Sequence, residues 1–284
     1  MERQTSWGWL VALYMFLGGT GAGIYTAGFI LGFTGSIKQL AFTGMVLGPV
    51  LVIVGLICLL IEAGSPLQSY RLFKGLPTSW MSRGGLIQIL FIIFGFGYAL
   101  PGYRFSGWLN SGTGLILGSI ALVLALALAT YHGIVLTESR RIPLWSSSVM
   151  PLLSFFTALC AGLGLLLLIS TGYDGVQVAM TKIILGISGI AFVIGELIAI
   201  WSVVVTSSNS IYIQSVRRIR TPMIMATICL LLALALLVVM MIEGANIFVF
   251  SLPISGVLLL VGSFITRYSI LKGGYYIPLR VPGV

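Results

Sequence analysis

The sequence predicts an all-α integral membrane protein with eight transmembrane helices in two four-helix halves. Three observations lead to this fold class. The chain is 58% hydrophobic and only 7% charged, whereas soluble domains carry about 25% charged residues. Its apolar runs approach the ~20 residues that a helix needs to cross the hydrocarbon core. The alternating segments of about ten residues that are typical of membrane β-barrels do not occur in the sequence.

Eight apolar runs define the expected helices, and the short connections between them predict antiparallel neighbours. No shift in composition marks a soluble region, so residues 1–284 are predicted to form a single polytopic membrane domain. In the first run, Gly19 and Gly23 have the GxxxG spacing at which a neighbouring helix can approach closely. The predicted helices span residues 7–33, 44–63, 84–103, 113–136, 149–171, 182–206, 222–242 and 254–272.

Basic residues concentrate at one predicted face of the membrane. Of the 15 lysines and arginines, all but Lys38, Arg104 and Lys182 lie at the N-terminus, after even-numbered helices or at the C-terminal end. The positive-inside rule then predicts that both termini are cytoplasmic. A second interpretation stays open, in which the basic face docks an acidic partner subunit. The residues of this face are Arg3, Arg71, Lys74, Arg83, Arg140, Arg141, Arg217, Arg218, Arg220, Arg267, Lys272 and Arg280.

The cysteines and the histidine limit which metal centres this chain could hold. Cys58, Cys160 and Cys229 each lie alone in an apolar run without CxxC spacing, which argues against an iron–sulfur cluster or a zinc site. His132 is the only histidine, so a haem with two histidine ligands is excluded within the chain, while ligation by a histidine and a methionine stays open without a supporting motif. If the protein moves electrons, we expect the metal centres in a partner subunit.

Three side chains near the basic edge are candidates for binding the polar head group of a redox-active lipid. Tyr14 lies in the first run, and Tyr131 and His132 lie together near the end of the fourth. A tyrosine hydroxyl or an imidazole at that depth needs a hydrogen-bond partner. A main-chain carbonyl is the simpler partner, and a quinone-like head group is the functional one.

Two carboxyl groups are candidates for proton transfer, because an ionisable group inside a membrane is costly and usually functional. Glu62 ends the second run, and the alternative is that an arginine pairs with it as a structural clamp. Glu196 lies near the middle of the sixth run, where its carboxyl is either protonated or part of a proton path. Ser188, Ser202 and Thr206 share that helix and are candidate relays.

Four arginines are candidates for partner docking or ion pairing. Arg83 opens the third helix at the basic face, and Arg140 and Arg141 follow the fourth. Arg267 lies about one turn inside the last helix, where it could pair with Glu62 or bind a head group. Beyond Arg141 the chain turns and is expected to dock through Trp145.

Motifs along nearly the whole chain resemble the signature regions of the NrfD/PsrC-like membrane subunits of the polysulfide reductase family. Four regions match in the same order, which makes the resemblance specific. They are WGWLVALYMFLGGTGAG from Trp7, LLIEAGSP from Leu59 followed by PTSWMSRGG from Pro77, YHGIVLTESRRIPLW from Tyr131, and RYSILKGGYYIPL from Arg267.

The resemblance implies an eight-helix, haem-free subunit of a prokaryotic inner membrane, built as two four-helix bundles. It implies electron exchange with a pool of quinone, either menaquinone or ubiquinone, through a ferredoxin-like subunit that carries iron–sulfur clusters. A molybdopterin-type catalytic subunit is expected beyond that subunit. The lipid bilayer is the other expected partner, and no nucleic acid is expected.

Carried over residue by residue, the resemblance implies a quinone between the start of the first helix and the end of the fourth. Tyr14 matches a histidine that binds the head group, and Tyr131 matches the quinone-binding tyrosine. Val11 stands where a family member has an asparagine, and His132 is a candidate to replace that contact. Glu62 matches the acidic residue before the GxP turn and is a candidate for proton transfer.

Two other functions stay open. An ion or proton transporter would use Glu196, although no pair of interrupted helices marks the two halves. A passive anchor would hold a redox enzyme at the membrane without a quinone site of its own. The resemblance also bears on orientation, since many members of the family dock their partner on the outer face. The basic face is therefore the expected docking face, cytoplasmic by residue count and outer by resemblance.

Overall fold

The computed structural model describes residues 4, 7–33, 38–64, 79–104, 111–172, 176–206, 210–243 and 248–277. Within these residues it contains eight helices, each long and apolar enough to cross a membrane, which confirms the predicted fold class. A helix satisfies its own main-chain N–H and C=O groups, as the bilayer interior requires. The helices are α1 (Trp9–Phe33), α2 (Lys38–Ala63), α3 (Trp80–Arg104), α4 (Gly112–Thr137), α5 (Met150–Ser170), α6 (Val176–Val205), α7 (Ser210–Glu243) and α8 (Phe248–Gly273).

Several helices begin earlier than the apolar runs predict. The largest difference is in α7, which begins at Ser210 rather than at residue 222. Arg217, Arg218 and Arg220 therefore lie inside the helix, with exposed side chains. Charged residues end an apolar run without ending a helix, because arginine is a good helix former whose head group reaches solvent at the membrane edge. The starts of α2, α3, α6 and α8 shift in the same direction by a few residues.

The helices pack as two rings of four. In the first bundle α1 packs on α2, α2 on α3 and α3 on α4, and α4 closes on α1; α5 to α8 close the second bundle in the same way. The bundles meet where α1 and α4 pack against α5, and where α1 contacts α8. We call this surface the bundle seam. The helices α1 and α5 are the most enclosed, since 72% and 67% of their most apolar stretches are buried inside the protein.

Glycines allow the closest approach at the bundle seam. A Cβ on Gly23 of α1 would meet the Ala158 carbonyl of α5, and a Cβ on Gly162 of α5 would meet the main chain of Gly23. The two helices therefore touch main chain to main chain, as small residues permit inside a membrane. The predicted close approach is confirmed at Gly23, whereas Gly19 instead makes room for the Arg267 guanidinium of α8.

The segment between α4 and α5 folds back onto the end of α8. The Trp145 indole N–H donates to the Ile270 carbonyl at 2.8 Å, and the side chain is almost fully buried. The Trp145 ring lies 5.2 Å from the ring of Trp7, which precedes α1. The Lys272 ammonium donates to the Trp7 carbonyl at 2.9 Å. The predicted docking of Trp145 is confirmed.

Segments from the two ends of the chain lie together beside this turn. The Gln4 N–H donates to the Gly274 carbonyl at 3.1 Å, and the Ile277 N–H donates to the Arg141 carbonyl at 2.9 Å. The start of α1, the end of α4 and the end of α8 therefore share one end of the molecule. We call it the basic end, after the arginines that follow α4.

Candidate functional site

The three predicted head-group ligands lie together in the first bundle, near its basic end. The Tyr14 ring of α1 is 5.3 Å from the His132 ring of α4, edge to face, and the Tyr131 ring is 5.5 Å from the same imidazole. All three side chains are buried. We call them the tyrosine–histidine cluster. It brings two hydroxyls and an imidazole to one place inside the membrane.

The Tyr14 hydroxyl has a partner on α3 that the sequence analysis did not single out. The Gln88 amide Nε2 donates to the Tyr14 oxygen at 2.7 Å, between two buried side chains. The Tyr14 hydroxyl interacts with that of Tyr131 as well. Because the Tyr14 oxygen accepts from Gln88, its own proton is available for donation to another oxygen. The Gln88 carbonyl oxygen itself has no partner.

Tyr131 faces α3, and its hydroxyl has a second neighbour besides that of Tyr14. Its hydroxyl points to the Met81 carbonyl at 3.4 Å, which is long for an O–H···O bond. The ring occupies the space that a side chain on Gly84 would fill. The absence of a Cβ at Gly84 therefore lets the tyrosine lie between α3 and α4.

His132 faces the bundle seam rather than α3. Its ring packs beside Gly18 of α1, and neither ring nitrogen has a hydrogen-bond partner. The Leu128 carbonyl, one turn earlier in α4, interacts with the imidazole without meeting hydrogen-bond geometry. The imidazole lines a cavity of about 30 Å³ between α1, α4, α5 and α8. A buried imidazole with two free nitrogens has unused hydrogen-bonding capacity.

Arg267 bridges the two bundles across the same cavity. Its Nη1 donates to the Met15 carbonyl of α1 and its Nη2 to the Ser154 carbonyl of α5, both at 2.9 Å. Its Nε has no partner. The guanidinium is thus held between α1, α5 and α8 by main-chain oxygens, and it does not pair with Glu62.

Glu196 lies in the second bundle and is fully buried. The Ser263 hydroxyl of α8 donates to its Oε2 at 3.3 Å, whereas its Oε1 has no hydrogen-bond partner. The Cys160 thiol, the Thr266 hydroxyl and the Arg267 guanidinium are the other groups that interact with this carboxyl. These groups belong to α5 and α8, the two helices of the second bundle that border the seam.

The geometry can be compared with known proteins. The sequence model of the family described as "Polysulphide reductase, NrfD" matches residues 1–278. The chain belongs to this family. A curated relative, "Protein NrfD" of Escherichia coli (strain K12), is 27% identical over 182 residues, which are 55% of the chain. The match spans 57% of that relative's own length.

Glu62 of this NrfD-family chain lies away from the tyrosine–histidine cluster. Its side chain is exposed at the end of α2, and its Oε1 accepts the Gly8 N–H at 2.9 Å. Gly8 directly precedes α1, where a carboxylate is favoured by the free N–H groups and the helix dipole. Among the described residues, the partner of Glu62 is therefore a main-chain N–H rather than an arginine.

The other predicted arginines lie at the basic end. The Arg83 guanidinium stacks 4.8 Å from the centre of the Trp80 ring at the start of α3. The side chains of Arg140 and Arg141 are exposed in the turn after α4. They present positive charge beside the docked Trp145. Among the described residues, no group of three His, Cys, Asp or Glu side chains is arranged to hold a metal ion.

The predicted relays on α6 are bonded within their own helix. Ser188 and Ser202 each donate to the carbonyl four residues earlier, at 2.8 Å and 2.9 Å, and Thr206 donates to Ser202 at 2.6 Å. The polar partner of Glu196 is Ser263 of α8 instead. Sequence reasoning about one helix could not find a partner on another. Gln88 was visible, as a lone amide near the start of the third apolar run, where a polar group usually has a function.

Proposed function

We propose that this protein is the quinone-reactive, haem-free membrane subunit of a redox complex, and that it exchanges electrons with an iron–sulfur partner. The observation that carries the proposal is the tyrosine–histidine cluster. It gathers hydrogen-bonding groups with unused capacity in the membrane, in the part of the fold where the family resemblance implies a quinone. Membership of the NrfD family supports the same function.

The residues of the cluster suit a quinone head group. A quinone carbonyl oxygen accepts hydrogen bonds. The Tyr14 and Tyr131 hydroxyls interact with each other, which leaves one of their two protons for a quinone oxygen, and the protonated ring nitrogen of His132 is a second donor. Bound there, the quinone would supply two-electron, two-proton chemistry. Gln88 fixes the direction of the Tyr14 hydroxyl, and His132 is the group beside it that can accept or give a proton. Donors held in a water-poor site stabilise charge that develops on oxygen.

The basic end is the proposed docking surface for a ferredoxin-like iron–sulfur subunit, with a molybdopterin-type catalytic subunit beyond it. Arg140 and Arg141 are exposed there, a few residues from Tyr131 and His132. Positive charge beside the quinone site favours an acidic partner whose cluster must come close to the head group. We propose that the protein lies in a prokaryotic inner membrane. The count of basic residues places the basic end in the cytoplasm, whereas the family resemblance places it outside.

Two proton-transfer roles are part of the proposal. Glu62 sits at the exposed end of α2 and could exchange protons between the head-group region and water. Glu196 sits in the second bundle and could extend a route away from the basic end. A buried carboxyl with one unpartnered oxygen supports the second role.

The test is the double variant Tyr131→Phe with His132→Ala in the purified native complex. We expect quinol-linked turnover to fall about 10²-fold or more, because removing one donor to a developing oxyanion typically costs that much. Turnover with a water-soluble electron donor that reacts at the partner should be unchanged. The matched control is Tyr268→Phe, a tyrosine on α8 whose side chain is 40% exposed.

Intact quinol-linked turnover in the double variant would reject the proposal and favour a passive anchor. A transporter is the second candidate, and the buried Glu196 carboxyl is the observation that favours it. In that case the chain would move ions or protons without a cluster-bearing partner. Glu196→Gln would then abolish transport, while the double variant would leave it intact.

A further inference from the structure

The cavity at the bundle seam is large enough to hold water. Its free volume is about 30 Å³, and one water molecule needs about 10–15 Å³ of free cavity volume. Three hydroxyl-bearing residues, Ser154, Thr157 and Thr266, line it together with His132 and Arg267. Most of the wall is apolar, from Met15, Leu136, Met150, Leu153 and Ile270. The five polar side chains give a water molecule the two to four partners that it needs, and the volume suits one or two water molecules.

The hydrogen-bonding groups that are free around the cavity include both donors and acceptors. The hydroxyl protons of Ser154, Thr157 and Thr266 are used on main-chain carbonyls of α4, α5 and α8. Their oxygens are left as acceptors. The free donors are the Arg267 Nε–H and one His132 nitrogen, and the other His132 nitrogen is an acceptor. A bare anion needs donors only, whereas water both donates and accepts.

We propose that this cavity holds one or two ordered water molecules that bind His132 and Arg267 and carry protons across the bundle seam between the tyrosine–histidine cluster and Glu196. The water site follows from the geometry alone, and the proton link rests on the proposed function. In the transfer, one His132 nitrogen takes up a proton as the other gives one to water. The water gives a proton in turn to the Thr266 hydroxyl, as that hydroxyl turns and gives its own proton to the Glu196 carboxylate. No electron moves in this step.

Helix α8 supplies the second half of the link. Ser263, Thr266 and Arg267 are spaced three and four residues apart, so they lie on one face of the helix. Thr266 and Arg267 line the cavity, and both interact with the Glu196 carboxyl to which Ser263 donates. This face of α8 therefore contacts both the cavity and the Glu196 carboxyl.

The first test is a high-resolution density map of the native complex. We expect water density within hydrogen-bond distance of the Arg267 Nε and a His132 nitrogen. A map that resolves other internal waters and shows none in this cavity would overturn the inference. This result does not depend on turnover.

The second test is the double variant Thr157→Val with Thr266→Val, which keeps the side-chain shape and removes two of the water acceptors. We expect quinol-linked turnover to fall on the order of 10-fold, less than the 10²–10⁴-fold that positioned acid–base groups contribute in full. The solvent deuterium isotope effect should rise at the same time. The matched control is Thr227→Val on α7, where the hydroxyl makes the same bond to the carbonyl four residues earlier, at 2.8 Å.

The outcomes separate this inference from the proposed function. Unchanged turnover and isotope effect in the Thr157/Thr266 variant, with normal quinol turnover in the wild type, would overturn the proton link and leave the quinone site standing. A wild-type complex without any quinol-linked turnover would overturn the quinone site and the proton link together, while water density would still decide the hydration of the cavity.

Discussion

The contact between Gln88 and Tyr14 offers the sharpest quantitative test of the quinone site. Gln88→Met keeps an unbranched side chain of similar length and removes the amide that donates to the Tyr14 oxygen at 2.7 Å. Hydrogen bonds between transmembrane helices contribute about 0.6 kcal/mol on average and up to about 1.7 kcal/mol. We take about 1 kcal/mol for this short, buried pair. Since 1.4 kcal/mol is a factor of ten, the expected effect is about fivefold.

The assay is steady-state turnover of the purified complex at varied quinol concentration. If Gln88 orients Tyr14 toward the head group, Gln88→Met should raise the KM for quinol about fivefold and change kcat less, because an interaction made equally in the ground and transition states affects KM. Gln214→Leu, at an exposed glutamine near the basic end of α7, is the control. Turnover with a water-soluble donor should not change.

A double-mutant cycle with Tyr14→Phe decides whether the effect passes through the tyrosine. Once the Tyr14 hydroxyl is gone, Gln88 has nothing to orient, so Gln88→Met should add little to Tyr14→Phe. Fully additive effects of the two substitutions on the quinol KM would refute this account of Gln88. A large effect of Gln214→Leu would show that the assay reports a general disturbance.

Three further predictions concern the bundle seam. Gly23→Ala should lower the thermal stability of the complex, because the new Cβ would meet the Ala158 carbonyl, whereas Gly97→Ala should not, because nothing lies within 4 Å of that position; equal melting temperatures would contradict main-chain contact between α1 and α5. Glu196→Gln should lower quinol turnover as the Thr157/Thr266 variant does, because it removes the end of the same proton link, and it should lower the number of protons moved per electron in proteoliposomes; an unchanged ratio would remove Glu196 from the route. Arg267→Met should destabilise the seam by about 1–3 kcal/mol, since two main-chain carbonyls lose a charged donor, and a melting temperature equal to that of the wild type would show that the arginine does not join the bundles.

The number of helices could be predicted from the sequence, because lipid leaves a spanning segment few alternatives to an apolar helix of about 20 residues. The helix starts could not. A hydropathy pattern places the start of a helix where the charged residues end. The helix α7 in fact begins earlier, at Ser210, and includes Arg217, Arg218 and Arg220. A helix can extend beyond the apolar region, where main-chain hydrogen bonds persist and side chains are solvated.

The members of the tyrosine–histidine cluster could be predicted, but not the direction in which each one faces. Neighbouring residues on a helix are about 100° apart. Tyr131 therefore faces α3, and His132 faces the bundle seam. The sequence names both as candidate ligands of one head group. In the proposed function the seam cavity separates their roles, with Tyr131 at the head group and His132 between the head group and the cavity.

The partners of Glu62, Glu196 and Arg267 could not be predicted, because each lies on a different helix or at a helix end. Glu62 bonds to the Gly8 N–H before α1, and Arg267 bonds to carbonyls of α1 and α5. Sequence reasoning expects charges to meet opposite charges. Inside a bundle, free main-chain groups and small hydroxyls compete for the same charges, and only the packing of the helices decides which group lies closest.

The central claim is that the chain binds quinone and passes electrons to a partner, and one measurement tests it most directly. The native complex is purified in mild detergent, its subunits are identified, and quinone is extracted and quantified. We expect the purified complex to contain a subunit that carries iron–sulfur clusters and to contain bound menaquinone or ubiquinone. We also expect the bound quinone to be lost in the Tyr131→Phe/His132→Ala variant. A chain that purifies alone and without quinone would contradict the account and make transport through Glu196 the function to test next.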